Sequence, residues 1–405
     1  MLLKKTKLKD QTSIQITGSK SISNRLLILS YLFDNIDLIN LSNSQDTTLL
    51  KKALDSKEDI IDIHHAGTAM RFLTAYLSIQ NGRETIITGS DRMKQRPIKP
   101  LVEALRNLGA DITYLENEGF PPLKIVGKNI TKDEVTIPAN ISSQFITALI
   151  LIAGKLENGL NINLDGEITS RPYLEMTLAI LEKVGVKANF IGQTIRVFPK
   201  DSHKRINHYE VESDWSSASY YYSFSAISRK PIQLKSYKTL SLQGDSIIKE
   251  IYWKYFGINT VSDMAESRIT LESSHNFEYP TEIILDMNNC PDIAQTLCVT
   301  ASLLKIPFKI TGLHTLKVKE TDRLVALRNE LQKIGAKTFI TEDSIESISF
   351  QDVEEPIIIE TYNDHRMAMA FAPVALIFDV EILDENVVEK SYPEFWEDYK
   401  KMTKD

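Results

Sequence analysis

The sequence predicts an α/β protein assembled from six similar modules, three in each half of the chain. A recurrent helix ending, a recurrent helix opening and an ordinary packed-domain composition carry that prediction. Four helix-like segments finish on a glycine: Leu105-Arg-Asn-Leu-Gly109, Leu181-Glu-Lys-Val-Gly185, Tyr255-Phe-Gly257 and Leu331-Gln-Lys-Ile-Gly335. Glycine is favoured just past a helix end because the chain there turns left-handed. Alternating strand-like runs follow, such as Ile112-Thr-Tyr-Leu and Thr338-Phe-Ile. The glycines lie 76, 72 and 78 residues apart. A period near 75 is longer than solenoid repeats, so the unit is a compact αβ module and not a stacking turn.

The second series opens helices. Gly18-Ser-Lys-Ser-Ile-Ser-Asn-Arg25, Gly67-Thr-Ala-Met-Arg71, Ser142-Ser-Gln-Phe, Asp214-Trp-Ser-Ser, Asp292-Ile-Ala-Gln and Asp364-His-Arg366-Met each run from polar residues into small and apolar ones. Beyond the first pair they recur at roughly the same spacing. Taken singly, each is an ordinary capped helix. Together they place unusual polar residues at six helix N-termini.

Composition sets the limits. The 405 residues are 42% hydrophobic and 25% charged, with a net charge of −7, which excludes collagen-like, disordered and disulfide-scaffold classes. Cys290 and Cys298 are too few for a framework and lack metal-ligand companions, so a reducing cytoplasm is expected. The apolar runs are too short to span a bilayer, and mild acidity argues against a nucleic-acid partner. His64, His65 and His365 do not form a metal-ligand spacing. Gly18-Ser-Lys-Ser lacks the Gly-Lys pair of a nucleotide-binding loop, and no cofactor or metal is expected.

A helix N-terminus presents unpaired N–H groups and the positive end of the helix dipole, so it attracts anions. The chain has 33 lysines and only 14 arginines, yet Arg25, Arg71, Arg96, Arg171, Arg323 and Arg366 all fall in or beside these openings. The guanidinium fork matches carboxylate and phosphate oxygens in pairs. Ligands carrying at least two anionic groups are expected.

Seven segments in order carry a family resemblance: Gly18-Ser-Lys-Ser-Ile-Ser-Asn-Arg25, Ala66-Gly-Thr-Ala-Met-Arg71, Arg92-Met-Lys-Gln-Arg96-Pro-Ile, Ser142-Ser-Gln144, Pro291-Asp292, Val318-Lys-Glu-Thr-Asp-Arg323 and Tyr362-Asn-Asp-His-Arg366-Met-Ala-Met. Over nearly its whole length the chain resembles the enolpyruvyl transferases, and among them the branch acting on shikimate 3-phosphate. The resemblance implies a two-domain inside-out α/β barrel of six βαβαββ repeats with the active site in the interdomain cleft. One domain would span residues 16–212 and the other would combine 1–15 with 213–405, so the chain crosses twice. Two such crossings suit a hinge that closes on substrate.

The resemblance also assigns residues. Lys20, Ser21, Arg25, Ser142, Ser143, Gln144, Ser170, Tyr173, Asp292, Thr315 and Lys319 would hold shikimate 3-phosphate. Lys20, Gly67, Arg96, Gln144, Arg323, Arg366 and Lys390 would hold phosphoenolpyruvate. The 5-hydroxyl would add to C2 of phosphoenolpyruvate as C3 is protonated, and phosphate would then leave. Asp292 matches the base for the hydroxyl and Glu320 the acid for C3, with Lys20 touching both substrates. Such a monomeric enzyme serves the shikimate pathway toward chorismate and aromatic amino acids, in a family targeted by glyphosate. Alone, Asp292 reads as a helix cap and Glu320 as a surface ion pair.

Some positions depart from the family. His65 stands where many relatives have asparagine, Phe72 where many have proline, and Thr315 where some have asparagine. The first two bear on inhibitor sensitivity and affinity more than on reaction type. Asp46 resembles a family aspartate near the cleft or an ordinary turn residue. The alternatives are the branch acting on UDP-N-acetylglucosamine, which commonly carries a reactive cysteine absent from Asp111–Pro122, and a non-catalytic anion-binding relative.

Overall fold

The computed structural model describes residues 1–33, 36–201, 206–353 and 355–404. Among these residues one pattern recurs. A strand leads into a buried helix and a second strand parallel to the first. A half-exposed helix and an antiparallel hairpin follow, and the last hairpin strand pairs with the second strand. Residues 60–126 show it in full: strand Ile60–Asp62, helix Gly67–Ser78, strand Glu84–Thr88, helix Lys99–Leu108, and hairpin strands Asp111–Tyr114 and Leu123–Val126. Ile60 pairs in parallel with Ile86, while Thr85 faces Ile125 in antiparallel register. Parallel neighbours need a crossover segment, which the buried helix supplies. Residues 134–197 and 283–350 repeat the same strand order.

The four periodic glycines end the second helix of such repeats. Gly109, Gly185, Gly257 and Gly335 have φ of 110°, 89°, 67° and 86°, a conformation that turns the chain at once into the hairpin. Among the described residues, the two remaining repeats show no complete hairpin after that helix. One pairs Ile357–Ile359 with Val380–Ile382 and borrows Leu2–Leu3 from the chain start. The other is a single parallel pair of His208–Glu210 with Asp37–Ile39.

The chain divides into two compact units, residues 19–211 and residues 1–18 with 212–405. The crossings exchange two connections. Strand Ser13–Gln15 pairs with Ile232–Lys235, yet the chain runs from it into helix Lys20–Leu32 of the other unit. Strand His208–Glu210 likewise belongs with Asp37–Ile39 but leads into helix Trp215–Ser228. The boundaries lie at 18/19 and 211/212, where the sequence suggests 15/16 and 212/213. Hydrogen bonds account for the difference. The Ser213 hydroxyl donates to the Ile16 carbonyl at 2.5 Å, and Gly18 forms a bridge with Ser213. Glu212 accepts from Trp215 Nε1 at 2.8 Å and from Ser241 Oγ at 2.6 Å, which ties it to the second unit.

Helices occupy the interior and sheets the exterior. In the 19–211 unit, helix Gly67–Ser78 is buried except for one residue, and in the other unit all of His365–Phe371 is buried. Strand residues facing away from the helices stay in solvent, as with Ile60 and Ile284. A helix buried on all sides must satisfy its polar groups internally. Helix Trp215–Ser228 does so through hydroxyl pairs with Ala294–Leu303: Ser219 with Thr296 at 3.1 Å, and Thr300 donating to Ser223 at 2.7 Å.

Candidate active site: two sets of charged residues

The six buried helices start at the openings that the sequence spacing predicts. In the 19–211 unit, Lys20, Ser21 and Arg25 lie on helix Lys20–Leu32. Arg25 is 3% exposed and has no carboxylate partner among the described residues. Its Nε donates to Thr177 Oγ1 at 2.7 Å and its Nη1 to the Ser21 carbonyl at 2.7 Å, while Nη2 reaches the Tyr173 carbonyl at 3.4 Å. The guanidinium lies over the rings of Phe72 at 5.6 Å and Tyr173 at 6.0 Å. Burial lowers it to about 10, the direction expected for a cation out of water. Phe72 therefore serves as a face for Arg25.

Ser142 caps helix Ser143–Ala153, accepting from Gln144 N at 3.3 Å, and Gln144 Nε2 donates to Thr68 Oγ1 at 3.4 Å. Ser170, before helix Arg171–Lys183, is left-handed at φ 56°, a strained conformation that only its surroundings can enforce. Arg96 is 8% exposed, and its Nε has no hydrogen-bond partner among the described residues. Gly67 makes room for it, since a Cβ there would sit 2.5 Å from Arg96 Nη1. Its missing side chain thus admits the arginine. Asp46 is buried in the first turn of Gln45–Asp55, 4.0 Å from Lys20 Nζ. His65 Nδ1 lies 2.8 Å from Ser90 Oγ.

The other unit is wired differently. Arg323, the first residue of helix Arg323–Lys333, is 2% exposed and joins three carboxylates. Its Nη1 donates to Asp292 at 3.1 Å and its Nη2 to Glu320 at 2.8 Å. Its Nε donates to Asp364 at 2.6 Å. Asp364 caps helix His365–Phe371 by accepting from Arg366 N at 2.9 Å, so one carboxylate holds the Arg323 guanidinium and the Arg366 backbone. Arg366 Nη2 lies 3.2 Å from Asp292, and Lys319 Nζ lies 3.5 Å from it. Lys390 Nζ stands 2.6 Å from Glu320.

Asp292 lies inside the turn Pro291–Ile293, whose N-cap is Cys290, and the following helix Ala294–Leu303 has Ile293 as its N-cap, so Asp292 is the cap of neither. Glu320 has a 12% exposed side chain and is no surface ion pair. Burial pushes the Asp292 carboxyl up, but Arg366, Lys319 and Arg323 outweigh it and hold it well below the usual carboxylate range. Lys319 is lowered, chiefly by burial. Thr315 is buried, with no hydrogen bond to its hydroxyl among the described residues. Burial lifts the Cys290 thiol to about 12, so it is no thiolate at neutral pH.

Asp364, Ser216 and Asp245 join this network without having been singled out as site residues. A cap position just ahead of Arg366 signals Asp364. Asp245 carries no local signal, because its partners are distant in sequence.

Two units, one holding Arg25 and Arg96 with no carboxylate partner among the described residues and the other interlacing cations with carboxylates, suit a protein of the class that binds small polyanions. A family model for EPSP synthase (3-phosphoshikimate 1-carboxyvinyltransferase) matches residues 49–399, and the chain belongs to that family. A 3-phosphoshikimate 1-carboxyvinyltransferase from Bacteroides fragilis is 46% identical over 397 residues, covering 96% of this chain and 95% of that protein. One from Haemophilus influenzae is 37% identical over 423 residues, covering 96% of each. Among solved structures, an EPSP synthase from Acinetobacter baumannii has a TM-score of 0.73 at 20% identity, covering 99% of this chain and 97% of that one. That likeness gives the fold, the two-domain inside-out barrel of six repeats.

Proposed function

We propose that the chain transfers the carboxyvinyl group of phosphoenolpyruvate to the 5-hydroxyl of shikimate 3-phosphate, releasing phosphate. The observation that carries the reading is the Arg323 network, in which Asp292 and Glu320 lie within hydrogen-bonding reach of four cations, Arg323, Arg366, Lys319 and Lys390. Family membership supplies the reaction, and the residues supply its steps.

In this reading Ser142, Ser143, Ser170, Tyr173 and Arg25 take the 3-phosphate, with Ser21, Gln144, Thr315 and Lys319 along the ring. Gly67, Arg96, Arg323, Arg366 and Lys390 take phosphoenolpyruvate, and Lys20 meets both ligands. The 5-oxygen forms a bond to C2 while its proton passes to Asp292, and Glu320 delivers a proton to C3. The C2–O bond to phosphate then breaks, Glu320 takes a proton back from C3, and the proton on Asp292 leaves with the phosphate.

A carboxylate held as low as Asp292 is a poor base in the free protein. Anionic substrate drawn to Arg366 and Lys319 offsets the cations that depress it, so substrate binding raises its basicity. Preorganised cations then stabilise charge on the leaving phosphate. The chain acts in this reading as a cytoplasmic monomer.

Phosphate release tests the reading, with phosphoenolpyruvate and either shikimate 3-phosphate or UDP-N-acetylglucosamine as acceptor. Turnover is expected only with the first. Asp292→Ala is expected to lose at least about 10²-fold in kcat, the usual contribution of a general base. Full activity in that variant removes Asp292 from the role.

A further inference from the structure

Asp245 is 3% exposed, in the 3-10 turn Gly244–Ile247, and lies 47 positions before Asp292 in sequence. The segment holding it is fastened at several points. Ser241 Oγ donates to Glu212 at 2.6 Å, and Gln243 Nε2 donates to the Ser213 carbonyl at 2.8 Å. Gln243 Oε1 accepts from Trp215 N at 3.0 Å, in the first turn of helix Trp215–Ser228. Asp214 caps that helix by accepting from Ser217 N at 2.9 Å. Ser216 is therefore fixed by its backbone, and its hydroxyl donates to Asp245 Oδ2. A hydroxyl has one hydrogen, so committing it to Asp245 turns a lone pair outward. Arg366 Nη2 lies 3.4 Å from that oxygen and 3.2 Å from Asp292.

We propose that Asp245 is a positioning residue which, through the Ser216 hydroxyl, fixes the Arg366 fork beside Asp292 and so sets affinity for the carboxylate-bearing phosphorylated donor. The inference rests on the function proposed above, in which Arg366 receives phosphoenolpyruvate. Asp245 touches no reacting atom in this scheme. Its buried carboxyl is raised to about 6, first by burial and then by Asp292, against Arg366 and the Ser216 hydroxyl, so it is a costly group to bury. A two-link tether that aims an arginine needs a strong acceptor at its end.

The experiment compares steady-state kinetics of the full chain, varying each substrate in turn, for wild type, Ser216→Ala, Asp245→Ala, Asp245→Asn and the Ser216→Ala/Asp245→Ala double variant. Thermal melts accompany each. Ser216→Ala, which removes one hydroxyl, and Asp245→Ala are each expected to raise KM for phosphoenolpyruvate about tenfold while KM for shikimate 3-phosphate stays within twofold. The double variant is expected to match the single ones, because both cut the same tether. Asp245→Asn keeps an acceptor and is expected to recover most of the loss. A wild type that turns over, with an unchanged donor KM in Ser216→Ala or multiplied effects in the double variant, overturns the inference alone. A wild type that releases no phosphate overturns the functional reading and this inference with it.

Discussion

The two units solve the problem of holding buried cations in opposite ways. In the 19–211 unit, Arg25 is held by hydroxyls, carbonyls and aromatic faces, and Arg96 by the space that Gly67 leaves. In the other unit, Arg323 is matched by Asp292, Glu320 and Asp364. The N-caps of the buried helices are Ser19, Ala66 and Ser142 in one unit and Asp214, Ile293 and Asp364 in the other, so acidic caps occur only in the second. A cation without a counterion stays hungry for an anion. A cation among carboxylates is near neutral and serves to tune them. In the function proposed above, the 19–211 unit would supply standing affinity for a phosphate and the other unit the proton chemistry.

The central arginines test this most severely. Arg323→Ala strands the fully buried Asp364 and frees Asp292 and Glu320, so a stability loss of about 3–5 kcal/mol is expected, as for breaking buried ion pairs. Activity should fall below about one part in 10³ if the network is catalytic. Arg25→Ala removes hydrogen bonds but also a desolvated, uncompensated charge, and should cost only about 1–2 kcal/mol. Its kinetic effect should fall on KM for shikimate 3-phosphate. Urea denaturation and phosphate release read both variants; equal stability losses would break the comparison.

Gly67→Ala probes how a cation is held by space. The added methyl meets Arg96 Nη1 at 2.5 Å, and the guanidinium must swing aside. Gly67 has no left-handed backbone, so folding should survive. KM for phosphoenolpyruvate is expected to rise about tenfold, equivalent to about 1.4 kcal/mol. An unchanged KM would show that Arg96 has slack, and unit one would no longer depend on close packing around its cations.

Much of this arrangement was legible in the chain. The 75-residue period located four hairpin repeats, because a tight helix-to-strand turn needs glycine, and the six openings marked the six buried helices. The exchange of two strands was not legible, because strand pairing between residues 13–15 and 233–235 leaves no local pattern. Among the residues around Arg323, those beside a helix start stood in sequence motifs and Asp245 did not, since its contact runs across some thirty residues to Ser216, which in turn meets the distant Arg366. The pairing of Arg323 with Asp364 was equally hidden, although both residues stood in quoted motifs.

Titration separates the units with a smaller effect. Asp292 lies below its reference value of 3.8, so the stability it contributes is complete above about pH 4 and is lost as pH falls. Arg25 lies at about 10, below its reference of 12.5, so the folded chain releases that proton first and this group's contribution to stability rises between those values. Asp292→Asn should flatten the acid limb of a stability profile and Arg25→Met the alkaline one. If either variant flattens the other's limb, the charges are coupled in a way the two wirings do not allow.

The smallest effect concerns the repeat shared by both units. Gly109 and Gly335 end equivalent helices with positive φ, and alanine at either is strained by about 1–2 kcal/mol. Their surroundings differ. A Cβ on Gly109 meets nothing within 4 Å, whereas one on Gly335 would lie 2.5 Å from the Gln351 carbonyl oxygen, in backbone that cannot rotate away. Gly335→Ala should therefore cost more than Gly109→Ala by roughly another 1 kcal/mol, as overpacking does. Neither change touches a charged group of the site, so kcat should be preserved in the folded fraction of both. Equal stability losses would mean that the hairpin after Gly335 yields, and that the repeat in the proton-handling unit is held no more tightly than its counterpart.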